Sequence, residues 1–108
     1  MISYKVNFES LSWESPMKGV RFKSYEHAGR RLRLVEFSKE FVEPDWCANG
    51  HIGYILEGKL EIDFDGKRIV YKPGDGLFIP KGQQHKHIGK VLTDFVSLVL
   101  IEDVEPVK

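Results

Sequence analysis

Asp65-Gly66 separates two runs of alternating apolar and polar residues, and no other feature constrains the fold of this chain as tightly. On one side Leu60, Ile62 and Phe64 are interleaved with Lys59, Glu61 and Asp63; on the other the alternation resumes from Lys67 to Tyr71. Period two is the mark of a strand with one buried and one wet face. An Asp-Gly pair between two such strands predicts a type I′ hairpin turn, whose central residues both need positive φ. The alternation recurs at Tyr4, Val6 and Phe8, at Val20 and Phe22, and at Leu32 and Leu34 followed by Glu36. Leu77 to Ile79 reads as a short strand, and Phe95 to Ile101 as a longer one buried on both faces. No window of helical length shows a period near 3.6 residues. Only Ser10 to Ser15, ahead of Pro16, reads as a helical turn. Short strands with close turn signals predict an all-β fold of two facing antiparallel sheets. Its expected buried set is Phe37, Tyr54, Leu56, Leu60, Ile62, Phe64, Phe78, Ile79, Phe95, Leu98 and Leu100.

With 108 residues, the chain has the length of one domain. Lysine and arginine together number 16, as do aspartate and glutamate, so the basic surplus of a nucleic-acid binder is missing. The longest purely apolar stretch, Leu98 to Ile101, is far short of the roughly 20 residues of a membrane-spanning helix. A single cysteine, Cys47, cannot form an internal disulfide, which argues against a secreted disulfide scaffold. Met1 to Lys5 lacks the charged-then-apolar order of a secretory signal. The expectation is a cytoplasmic domain with no nucleic-acid or membrane partner.

Two stretches carry more than fold. Gly74, Pro80, Gly82 and His85 stand in the spacing glycine, five residues, proline, one residue, glycine, two residues, histidine. This resembles the second conserved motif of the cupin superfamily. Tyr54-Ile55-Leu56-Glu57-Gly58 resembles the close of the first. The resemblance covers residues 32–101 and implies a single cupin domain over 1–108, a double-stranded β-helix or jelly-roll barrel. The family pattern ends in an asparagine where this chain has Gly89. Counting back from Gly58, the family's acidic ligand position holds His51, and its two histidine positions hold Cys47 and Asp45. The resemblance therefore implies a metal site with an exchanged donor set, His85 retained and Cys47, His51 and Asp45 substituted. Ile52-Gly53-Tyr54 is also similar to small cupins of sugar-acid degradation.

The residues support a site independently. Asp45 and Cys47 are two apart, as are His85 and His87 on a strand expected to begin after Gly82, and such pairs share a strand face. Asn49-Gly50 reads as a turn that brings His51 back toward the same space. Several polar groups aimed into an apolar barrel cost several kcal/mol unless paired or metal-bound. Cys47, His51 and His85 are expected to converge, with Asp45 or His87 as the fourth donor. Thiolate with imidazole suits Zn²⁺ or Fe²⁺ better than Mg²⁺ or Ca²⁺. His87 is alternatively a general acid–base group or a pocket-lining residue. Each position also has a plain reading: Cys47 as a small buried hydrophobe, His51 as a satisfied core histidine, Asp45 as a turn residue. Arg30, Arg31 and Arg33 read as a solvated edge or as a face toward an anionic ligand.

The expected function is binding of a divalent metal in the barrel and action on a small polar molecule such as a sugar, sugar acid or keto acid. The alternatives are a non-catalytic small-molecule binding or sensing domain, with or without metal, and a structural or partner-binding protein with a degenerate site. The alternation at Tyr4, Val6 and Phe8 leads us to expect a homodimer joined through an N-terminal strand.

Overall fold

Leu60–Asp63 and Arg68–Tyr71 form the expected hairpin, with Asp65 at φ 61° and Gly66 at φ 106° between them. The computed structural model describes residues 1–104, and nine strands run through it. They are β1 (Glu14–Met17), β2 (Val20–His27), β3 (Arg30–Ser38), β4 (His51–Glu57), β5 (Leu60–Asp63), β6 (Arg68–Tyr71), β7 (Gly76–Ile79), β8 (Ile88–Val91) and β9 (Phe95–Asp103). One sheet has the order β1-β2-β3-β9-β4-β7 and the other β6-β5-β8; all neighbouring strands are antiparallel, with a register shift in β1–β2 and another between Ile55 and Glu57 in β4–β9. The all-β, two-sheet jelly-roll architecture expected from the sequence is therefore the one observed.

The core lies between the sheets. Val35, Ile55, Leu77, Ile79, Val96, Leu98 and Leu100 face inward from the large sheet, against Leu60, Ile62 and Val91 from the small one. Phe37 and Phe64 pack on its margin, half-buried. At Gly58 (φ +78°) the chain turns from β4 to β5, and a Cβ there would collide with the Phe95 carbonyl oxygen. Glycine is required at that point.

Four residues of the expected buried set face outward instead: Tyr54, Leu56, Phe78 and Phe95 are exposed. The reason is that β4 reads Ile52-Gly53-Tyr54-Ile55-Leu56, apolar on both parities, so alternation cannot choose a face. Ile55, fully buried, sets the inner parity, and Tyr54 and Leu56 follow to the outside. In β7 Leu77 and Ile79 take the inside and Phe78 is left 78% exposed.

The N-terminal expectations also fail. Tyr4 to Phe8 is not a strand; Phe8–Ser10 is a 3₁₀ turn capped by the Asn7 side chain, and Glu14–Met17 is edge strand rather than helix. Pro16 is tolerated in β1 because an edge strand leaves one side of its backbone unpaired. Lys23 Nζ donates to the Phe8 carbonyl, and Arg21 and Lys23 lie over the Trp13 ring, which ties this arm to the outer face of β2.

Candidate metal centre

Cys47 lies on the connection between β3 and β4, where the Cys47 and His87 backbones form an isolated antiparallel bridge. Its N–H donates to the His87 carbonyl at 2.8 Å, and the His87 N–H donates back at 2.9 Å. Residues exchanging both bonds in this way stand directly opposite, with their side chains on one face. His51 opens β4 on the same inward parity as Ile55. The ligating atoms of Cys47, His51 and His87 all lie within 4.8 Å of one another. Cys47 Sγ is 3.8 Å from His51 Nε2, and the His51 and His87 rings meet edge-on at 5.2 Å between centroids.

Both imidazoles are oriented by what their other nitrogen touches. His51 Nδ1 donates to Glu102 Oε2 at 2.8 Å, and His87 Nδ1 donates to the His85 carbonyl at 3.0 Å. Each ring is thereby left with Nε2 as its metal-binding atom, that of His51 turned to Cys47 Sγ. Tetrahedral Zn²⁺ with one sulfur and one nitrogen ligand separates those two atoms by about 3.5 Å. The observed 3.8 Å matches that spacing closely, so the donor set fits a metal in chemistry and in distance.

Glu102 anchors the far side. Arg33 grips it with two bonds, Nε to Oε1 and Nη2 to Oε2, both 2.7 Å. Arg31 adds Nε and Nη2 contacts to Oε1 at 3.3 and 3.1 Å. These arginines share the parity of Val35 on β3, which pairs with Leu98 in the core, so they point inward. Burial works to raise the Glu102 pKa, but the His51 and Arg33 hydrogen bonds outweigh it and hold the carboxyl at about 2. Burial opposes charge on His51, yet Cys47 and Glu102 raise its pKa to about 9. Hydrogen bonds from His51 and then His87 lower the Cys47 thiol to about 5. Burial opposes charge on His87 as well, and the contact with Cys47 raises it. Glu43, half-buried, accepts from the Gly89 N–H at 3.3 Å, and burial pushes its pKa up.

Of the residues singled out in the sequence, Cys47 and His51 come together, joined by His87. His85 and Asp45 lie outside the group. Asp45 is exposed and its carboxylate caps the Trp46 N–H at 2.7 Å. The strand expected to begin after Gly82 does not: Gln83–His85 is a 3₁₀ turn, which breaks the strand parity of His85 with His87. The Asn49-Gly50 turn is absent too, since β4 starts directly at His51. Glu102 and Glu43 are not singled out by the sequence, and Arg31 and Arg33 only as a solvated edge or a face toward an anionic ligand. One signal was present for the arginines: Val35 and Phe37 share their parity and contradict Leu32 and Leu34 as the inner face.

A family model described as "Cupin domain" matches residues 42–99. "Uncharacterized protein YdbB" of Bacillus subtilis is 33% identical over 84 residues, 74% of this chain and 72% of that one. "Acetate kinase EutQ" of Clostridioides difficile is 39% identical over 41 residues, 37% of this chain; the chain spans only 26% of that relative's length. Among solved structures, KdgF from Halomonas sp. superposes with a TM-score of 0.69 at 22% identity, covering 95% of this chain and 96% of that one. At that identity the likeness is one of fold.

Proposed function

The chain belongs to the cupin family, and on that footing we propose that its barrel holds a divalent metal, Zn²⁺ or Fe²⁺, and acts on a small polar molecule such as a sugar, sugar acid or keto acid. The observation that carries this reading is the convergence of Cys47, His51 and His87 within 4.8 Å, with both imidazoles turned to offer Nε2. A thiolate and two neutral imidazoles would hold the metal, and the fourth position would be open to water or ligand. Bound there, such a metal supplies Lewis acidity to a carbonyl, carboxylate or water oxygen. The chain's own residues do the rest of the work. Glu102 fixes the His51 tautomer, the His85 carbonyl fixes that of His87, and Phe64 packs against the His87 ring at 5.8 Å.

Zn²⁺ titration of the metal-free protein against a chromophoric chelator tests the reading. One tight equivalent per chain is expected, and absence of competition would end it.

A second reading, a metal-free binding domain, has one observation in its favour. Among the described residues every buried side-chain nitrogen and oxygen already has a hydrogen-bond partner. The Cys47–His51–Glu102 chain is thus satisfied as an ion-paired network as well as a ligand set. The same titration separates the two.

Assembly as a homodimer also belongs to the proposal, with its surface reassigned. In place of an N-terminal strand, the outer face of β4 and β7 offers Ile52, Tyr54 and Phe78, all exposed, beside Ile101 of β9. Contiguous apolar surface of this kind favours association.

A further inference from the structure

Five nitrogen atoms converge on one carboxylate: Nε and Nη2 of Arg31, Nε and Nη2 of Arg33, and Nδ1 of His51 all contact Glu102. An ionised carboxylate offers about four acceptor sites, so Glu102 is oversubscribed. Arg33 and His51 hold the short contacts, 2.7 to 2.8 Å, and Arg31 the long ones, 3.1 and 3.3 Å. Its other carboxylate neighbour, Glu26, is 4.0 Å away. The charges do not cancel either. Two guanidinium groups face one buried carboxylate, and a dipositive ion bound by one thiolate would add to the surplus.

Arg31 is also the member of the pair that reaches open space. It lines a cavity of about 720 Å³ at the end of the large sheet, together with His51, Glu102, Lys81, Phe78 and Ile101, whereas Arg33 does not. The cavity is large enough for a small organic molecule. It is lined by the same His51 whose Nε2 faces Cys47.

We propose that the ligand of this cavity carries a carboxylate, and that Arg31 receives it by exchanging its long contacts to Glu102 for the incoming group. The Nε–Nη2 edge of Arg31 holds a single oxygen, Glu102 Oε1, at long range, and an incoming carboxylate that sets two oxygens on that edge gains the paired geometry that Glu102 gives only to Arg33. Arg33 and His51 keep Glu102 in place while the exchange occurs. This narrows the proposed substrate class to acids and rests on the reading that the barrel mouth takes a small polar molecule; it does not depend on which metal is held.

The test is calorimetric titration of the zinc-loaded protein with matched pairs: glucuronate and glucose, pyruvate and pyruvamide, succinate and succinamide, with inorganic phosphate as a separate arm. At least one acid is expected to bind about ten-fold or more tightly than its neutral partner, the discrimination of a hydrogen-bonded charge. Arg31→Gln should abolish that preference and Arg31→Lys should retain part of it, each variant being titrated after loading with one equivalent of Zn²⁺. Lack of any acid preference across the panel, its survival in Arg31→Gln, or tighter binding of phosphate than of every carboxylate overturns the proposal. Loss of Zn²⁺ binding by the unmodified protein would instead strike the metal reading and leave the acid preference to be measured without it.

Discussion

His51 Nδ1 sits 2.8 Å from Glu102 Oε2, a residue 51 positions away in the chain, and this contact fixes which nitrogen the ring turns toward Cys47. The bond joins the start of β4 to the end of β9, neighbouring strands whose register brings both residues to one end of the barrel. A carboxylate behind a ligating histidine sets its tautomer and raises its basicity. Glu102→Gln should therefore weaken Zn²⁺ binding about 10–100-fold, as losing such a partner typically does. Competition against a chelator of known affinity reads the change directly; an unchanged affinity would show that His51 needs no orienting carboxylate.

The same carboxylate makes the fold sensitive to acid. Its pKa falls from 4.5 to about 2 on folding, so its contribution is complete above 4.5 and is lost as pH drops toward 2. The shift is worth on the order of 3 kcal/mol. Denaturant unfolding of the metal-free protein should show Glu102→Gln less stable at neutral pH, with the gap closing as pH approaches 2. A gap that stays constant with pH would mean that the charge of Glu102 contributes nothing.

In the metal-free protein Cys47 and His51 titrate as a coupled pair. The thiol is lowered from 9.0 to about 5, so thiolate persists above about 5 and is protonated below it. The imidazole is raised from 6.5 to about 9, so its proton is kept below about 9 and lost above it. The ion pair occupies the window between these values. Alkylation of Cys47 by iodoacetamide after chelation should rise with a midpoint near 5, and His51→Asn should move that midpoint toward 9.0. A midpoint near 9.0 in the unmodified protein would contradict the pairing.

The parity of β4 has its own test. Ile55 is 0% exposed and Leu56 is 43% exposed, although the two are adjacent and equally apolar. Ile55→Ala should destabilise the fold by about 2–5 kcal/mol, while Leu56→Ala should cost under about 1 kcal/mol. Equal losses in thermal or denaturant unfolding would show that both faces of the strand are buried in solution.

Phe78→Glu addresses assembly. The side chain is 78% exposed on the chain alone, and a charge there should leave the fold intact while converting a dimer to a monomer in light scattering. A dimer that persists in this variant would place the interface elsewhere.

How much of this was legible depends on whether one residue or one parity decided the matter. The hairpin at Asp65-Gly66 was readable because the turn requirement and the flanking alternation agree. The two-sheet barrel followed from the same signals. The inner faces of β4 and β7 were not readable, because Tyr54, Ile55, Leu56 and Phe78 are all apolar and only packing across sheets selects Ile55. In β3, Leu32 and Leu34 argue for one face and Val35 and Phe37 for the other, so alternation alone does not turn Arg31 and Arg33 inward. Motif spacing pointed to His85, and a single 3₁₀ turn over Gln83–His85 moved the inward position to His87. Glu102 could not be seen from sequence at all, since its partners come from β3 and β4.

Metal content of protein purified without chelator or an affinity tag tests the central claim most directly, read by elemental analysis across a variant set. One Zn²⁺ or Fe²⁺ per chain is predicted for the unmodified protein, retained in His85→Ala and Asp45→Asn and lost in Cys47→Ser, His51→Ala and His87→Ala. No stoichiometric metal, or metal lost in His85→Ala and kept in His87→Ala, would contradict the account.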